Sequence, residues 1–162
     1  MLIGDHELIE MLIGRGSDVE GALAVAAECH KNTHTLKFLL DRGIKDSNWY
    51  ALSRAAVWGK MDMAKMLLAY TDEPICSKSG EALNRAAGQG HLDMMDLLID
   101  RGFDVNARNE NGQTPLLSAC DADKPLPILI QTLLDRGANI AAKLIKMPDT
   151  AYHYQGGDTP CK

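Results

Sequence analysis

Cys29, His30 and His34 bring a thiol and two imidazoles into one short stretch, with the histidines at i, i+4 spacing. Such side chains are donors for a transition metal. No further cysteine lies nearby in sequence, and the set straddles a turn between two helices. Turn and surface roles account for it, so no metal site is expected. Nucleophilic catalysis would need a serine or cysteine with a base and an orienting acid. The chain has no G-x-S-x-G or equivalent, and Gly156-Gly157 is a pair of glycines rather than a phosphate-cradling loop. Asp93, Asp96 and Asp100 recur at helical spacing and read as one solvated stripe. The expectation is of no catalytic residue, no cofactor and no enzyme.

The elements that carry these side chains recur along the chain. One marker closes a helix: Ile13-Gly14-Arg15-Gly16, Leu40-Asp41-Arg42-Gly43, Leu68-Ala69-Tyr70-Thr71, Ile99-Asp100-Arg101-Gly102 and Leu134-Asp135-Arg136-Gly137. Its last residues fall at 16, 43, 71, 102 and 137, in successive steps of 27, 28, 31 and 35. Glycine suits a left-handed helix stop, and the preceding arginine favours the negative helix end. Thr71 replaces glycine in the third marker, so that helix must close differently.

A second marker precedes the first by about one helix-turn-helix unit. It reads Ala22-Leu23-x-x-Ala26-Ala27, Ala51-Leu52-x-x-Ala55-Ala56, Ala82-Leu83-x-x-Ala86-Ala87 and Pro115-Leu116-x-x-Ala119-Cys120. Adjacent small residues let neighbouring helices approach closely, and one leucine per helix fills the layer between them. Between the markers sit turns, Trp58-Gly59-Lys60 and Gln89-Gly90-His91. In the helix after His91, Leu92, Met94, Met95, Leu97, Leu98 and Ile99 leave little polar surface, so cover on most sides is expected. Pro125 and Pro127 suit a helix start and not its interior, which predicts an irregular loop over Asp121–Pro125.

Composition agrees with helices packed through small contacts: 46% of residues are hydrophobic and only 5% aromatic. A net charge of −5 argues against nucleic acid or an anionic membrane as the main partner. No apolar run approaches the ~20 residues of a membrane span. No signal peptide is visible at Met1-Leu2-Ile3-Gly4-Asp5. Cys29, Cys76, Cys120 and Cys161 form no C-x-x-C pair and read as reduced thiols, consistent with a cytoplasmic or nuclear protein.

Asp104-Val105-Asn106-Ala107 followed by Asn109-Glu110-Asn111-Gly112-Gln113-Thr114-Pro115-Leu116 resembles the ankyrin repeat, whose period is ~33 residues and whose first helix opens T-P-L-H. Gly112 would make the hairpin turn, Thr114 would cap the helix and Pro115 would occupy its first position. Gly157-Asp158-Thr159-Pro160-Cys161 looks like the opening of one more repeat, after an insertion at Lys143–Gln155. The resemblance implies an all-α, ankyrin-type helix-turn-helix solenoid with short or irregular β-hairpin fingers. It would form a single domain over 1–162: a second helix at 1–16, repeats ending near 43, 71, 102 and 137, and a partial repeat at 138–162. The family's histidine after T-P-L is replaced by Ala24, Ser53, Asn84 and Leu117.

The resemblance further implies a protein–protein interaction module that binds through first helices and finger tips. Carried over by position, the first-helix candidates are Glu28, Val57, Trp58, Gln89 and Asp121. The finger candidates are Trp49, Lys78, Glu110, Asn111 and Gln113. Trp49 and Trp58 would be aromatic anchors, or else would fill the space left by a shortened hairpin. Glu28, Glu110, Asp121 and Asp158 suggest a basic or mixed partner. Asn106 sits where ankyrin fingers are hydroxylated by an asparaginyl hydroxylase; the plainer reading is that it holds the hairpin. Neither terminal helix looks capped, which predicts a piece of a longer array or end-to-end self-association. Rival readings are a scaffold or regulatory segment of a larger enzyme, and a degenerate repeat with a small-ligand pocket.

Overall fold

The computed structural model describes residues 23, 24, 26, 33–46, 49–71 and 80–141. They fall into two compact units, Met1–Glu73 and Pro74–Lys162. In the first, α1 (Thr33–Asp41) and α2 (Tyr50–Val57) both pack on α3 (Met61–Tyr70). In the second, α4 (Gly80–Gln89) packs on α5 (Leu92–Asp100) and α6 (Pro115–Cys120), and α6 packs on α7 (Pro127–Asp135). No strand occurs among the described residues, so the finger over 103–114 is built of turns and the fold is all-α.

The recurring sequence markers have direct structural counterparts. Gly102 lies at φ 92, a conformation that costs a Cβ-bearing residue roughly 1–2 kcal/mol. There its N–H donates to Ile99 O at 2.9 Å, while Phe103 N donates to Leu98 O at 3.2 Å. This pair of bonds satisfies carbonyls that the helix end would leave orphaned. Phe103 and Leu98, the positions that pair in this motif, are both buried. The same bond pair closes α1 at Gly43 and α7 at Gly137. Where Thr71 replaces glycine, the backbone runs extended and Thr71 Oγ1 donates to Leu67 O at 2.9 Å. The different closure expected there is therefore a side-chain one.

The small-residue marker forms the core of both units. Leu52, Ala55 and Ala56 are buried in the first, and Leu83, Ala86, Ala87, Leu116 and Ala119 in the second. Gly80 shows how close the packing is: a Cβ there would meet Ala107 Cβ at 2.6 Å. In α5 only Met94, Met95 and Leu98 are fully buried, whereas Leu92, Leu97 and Ile99 are half-buried. The covered stripe is narrower than its apolar content suggested. After α6 the chain bends through 121–124, and α7 begins with Pro127 at its first turn, as the two prolines required.

The finger of the first unit is cut to a turn. Asp46 is buried, and its carboxylate accepts from Ala51 N at 3.0 Å and from Leu52 N at 2.8 Å. It thus caps α2 from ahead of the helix. Trp49, immediately before α2, sits at φ 57 with only 3% of its surface exposed. The left-handed backbone costs roughly 1–2 kcal/mol. Burying an aromatic of about 200 Å² at ~25 cal/mol per Å² gives about 5 kcal/mol, so burial wins.

Candidate partner-binding groove

The groove in the second unit is built from a capped helix and a self-bonded finger. Thr114 Oγ1 accepts from Leu117 N at 3.4 Å and Pro115 follows at the first helical position, which starts α6 as its sequence predicts. Ahead of it, Asn109 Oδ1 accepts from Asn111 N at 3.0 Å and Gln113 N at 2.9 Å. Gly112 N donates to Asn109 O at 2.9 Å, with Gly112 at φ 74. Arg108 Nη1 donates to Gly112 O at 2.6 Å. Side chain and backbone of one asparagine therefore shape the whole tip.

Gln113 Nε2 donates to Asp121 Oδ2 at 2.9 Å and so ties the finger to the C-terminal end of α6. Between finger, α4, α6 and the 121–126 bend lies an open groove of about 600 Å³. Four sequence candidates line it: Gln89, Asn111, Gln113 and Asp121. Glu110 is exposed at the finger but is not part of the lining. Arg85 and Lys124 line the groove together with Asp121 and Asp123. Charges of both signs therefore meet there; of the four acidic residues expected on one face, Asp121 is in the lining, Glu110 is not, and Glu28 and Asp158 lie outside the described residues.

In the first unit Trp58 ends α2 with 51% of its surface exposed, and Val57 beside it is half-buried. Trp49 is a correction: its burial removes it from the exposed set and fits the space-filling role instead. Glu28 and Lys78 lie outside the described residues, as do Cys29, His30, Asp158 and the stretches 1–22 and 142–162. His34 is exposed at the start of α1.

Two asparagines link one repeat to the next. Asn84, 2% exposed, stands where the family pattern has histidine. Its Nδ2 donates to Gly80 O at 2.8 Å and to Ala107 O at 3.1 Å, and its Oδ1 accepts from Ser118 Oγ at 3.1 Å. It thereby joins α4 to the next finger and to α6. Asn106 donates from Nδ2 to Gly137 O at 3.2 Å and accepts at Oδ1 from Asn139 N at 2.7 Å. Both amide atoms bridge to the turn after α7, which is the hairpin-holding reading extended to a neighbouring repeat.

A polar contact also links equivalent marker positions. Arg136 donates to Asp100 Oδ1 at 2.7 Å and to Asp96 Oδ1 at 3.2 Å. Asp96 and Asp100 are therefore more than a solvated stripe. Hydrogen bonding to Asp100, followed by its charge, holds the Arg136 guanidinium above its ordinary pKa. In the first unit, Tyr70 stands at the arginine position and its hydroxyl donates to Asp41 Oδ1. That hydrogen bond, then burial and the Asp41 charge, raise the phenol pKa.

The pattern described as ankyrin repeats (3 copies) matches residues 1–79, and that described as ankyrin repeats (many copies) matches residues 83–122. The chain belongs to the ankyrin-repeat family. Among similar ankyrin proteins, E3 ubiquitin-protein ligase XBAT32 of Arabidopsis thaliana is 37% identical over 73 residues, 43% of this chain and 14% of the ligase. A BTB/POZ domain and ankyrin repeat-containing protein of Oryza sativa subsp. japonica is 34% identical over 114 residues, 69% of this chain and 18% of that protein. An ankyrin repeat-containing protein of Treponema pallidum is 32% identical over 123 residues, 71% of this chain and 41% of that one. The ankyrin chain thus spans less than half the length of each. Among the described residues, no helix is long and apolar enough to cross a membrane.

Proposed function

We propose that this ankyrin chain is an interaction module that holds a partner protein on its first helices and finger tips. In this reading its 162 residues act as one repeat domain, in the cytoplasm or nucleus. The observation that supports it most is convergence. Gln89 from α4, Asn111 and Gln113 from the finger and Asp121 from the end of α6 line one groove of about 600 Å³. Glu110 borders it. Trp58 and Val57 are the equivalent positions of the first unit, and Glu28 and Lys78 are candidates by repeat register alone. Gln113 and Asp121, fixed to each other by a hydrogen bond, lose little freedom on binding, which favours affinity.

Ala122→Arg would fill the groove with a long cation, and Trp58→Ala would remove the exposed ring. Each is expected to lower partner capture from extracts of the source cell at least tenfold, with an unchanged melting temperature. Asp62→Ala, on the exposed side of α3, should capture normally. Capture that survives both groove and ring variants contradicts the reading.

A second reading makes the chain the partner-selecting segment of a larger enzyme. The likeness to an E3 ubiquitin-protein ligase, of which the match covers 14%, favours it. Ubiquitin transfer in extracts with the full-length product, present or absent with the native segment, distinguishes the two.

A further inference from the structure

The groove's polar side chains divide into those already engaged and those left open. Asn84, Asn109 and Gln113 have their carboxamides bonded within the unit. Arg85 is paired with Glu81. By contrast, the carboxamides of Gln89 and Asn111 are exposed and make no hydrogen bond among the described residues. They stand on different walls: Gln89 ends α4 and Asn111 tips the finger. At the far end Leu126, 41% exposed, also lines the groove. It lies over Gly90, where an added Cβ would come within 3.0 Å of its Cδ1.

A carboxamide offers an acceptor and two donors, the complement of a peptide unit with its N–H and C=O. We infer that this groove takes an extended segment of the partner polypeptide, held through its backbone by Gln89 and Asn111, with one apolar side chain seated against Leu126. The inference rests on the interaction reading above and narrows it to a ligand class. A helical ligand satisfies its own backbone and docks through a broad apolar groove, whereas Leu126 is the one large apolar side chain among this groove's lining residues. A nucleic acid strand needs several uncompensated cations. Here Arg85 is engaged by Glu81, and Lys124 shares the groove with Asp121 and Asp123. An extended peptide presents free N–H and C=O groups along its length, which two open carboxamides can read without regard to most side chains.

The test selects from phage-displayed random linear dodecapeptides on the full 162-residue chain, with a parallel library of helix-constrained peptides. Recovered peptides are synthesised and their affinities measured on the native chain, on a Gln89→Ala/Asn111→Ala variant, on Leu126→Ser and on Asp62→Ala. Linear binders are expected, weakened about tenfold or more by the double variant and severalfold by Leu126→Ser, and unchanged by Asp62→Ala. N-methylation of one backbone amide in the peptide should also weaken binding at least tenfold. Thermal melts of each variant confirm that the fold is kept. Recovery of helix-constrained binders alone, or linear binders indifferent to the double variant, overturns the inference. If Ala122→Arg abolishes partner capture while no linear peptide is recovered, the peptide inference falls and the interaction reading stands. If capture survives Ala122→Arg but not Trp58→Ala, the peptide inference alone falls; if it survives both, both fall.

Discussion

Asn84 carries three hydrogen bonds from a side chain 2% exposed. Truncation to alanine would strand the Ala107 carbonyl and the Ser118 hydroxyl in a part-buried setting. A buried polar group left without a partner costs about 1–3 kcal/mol, so Asn84→Ala is expected to lower unfolding free energy by about 2–3 kcal/mol in urea titration. A loss under about 0.5 kcal/mol would show that the bonds are replaced by water. Tyr70 gives a pH-dependent counterpart. Its folded pKa is raised, chiefly by the hydrogen bond to Asp41, so the protonated phenol is favoured in the fold. Its contribution is complete below the unfolded value near 10 and is lost as pH rises through the folded value. The stability difference between the native chain and Tyr70→Phe should therefore be constant at neutral pH and shrink in the alkaline range; a difference that grows there contradicts the assignment. At this scale the sequence was only partly legible. Gln89, Asn111, Gln113 and Asp121 were placed by repeat register alone. Asn84 was seen only as a missing histidine, because nothing local says that a carboxamide can reach the carbonyl 23 residues away. Asp46 was missed because it caps from three residues ahead of Trp49, outside the usual cap position.

Elements here start and stop by local chemistry that reads directly from the chain. The αL closures at Gly43, Gly102 and Gly137 and the Thr114-Pro115 start of α6 were all visible as residue types at fixed places. Tertiary contact decided the remainder. Trp49 was open between anchor and filler, and its burial at a left-handed backbone depends on the turn that Asp46 organises. Asp46→Ala removes two charge-assisted acceptors at the start of α2, where losing a cap costs about 0.5–2 kcal/mol. A fall of about 1–2 kcal/mol in chemical denaturation is expected, with a red shift in tryptophan emission if Trp49 is released. Gly80→Ala tests packing between α4 and the following finger. With Ala107 Cβ only 2.6 Å from the new atom, overpacking should destabilise by about 1–3 kcal/mol. A neutral or stabilising result would mean that the finger shifts freely away from α4.

The whole molecule repeats one arrangement with changed parts. In the second unit an arginine at the helix-closing position meets Asp100 of the preceding repeat, and in the first a tyrosine does the same to Asp41. At Asn84 a carboxamide takes over where the family uses histidine. Substitution within a fixed register explains why the family was legible from spacing while the groove's bonding was not: register fixes where a side chain lies, and neighbours decide which groups remain open. The central claim is that a partner protein is held in the groove beside Gln89 and Asn111. The most direct measurement places a photo-crosslinking amino acid at Gln89, and separately at Asp62, in the chain expressed in its source cell. Discrete protein adducts at Gln89 and none at Asp62 are expected; equal adducts at both positions, or none at Gln89, would contradict the claim.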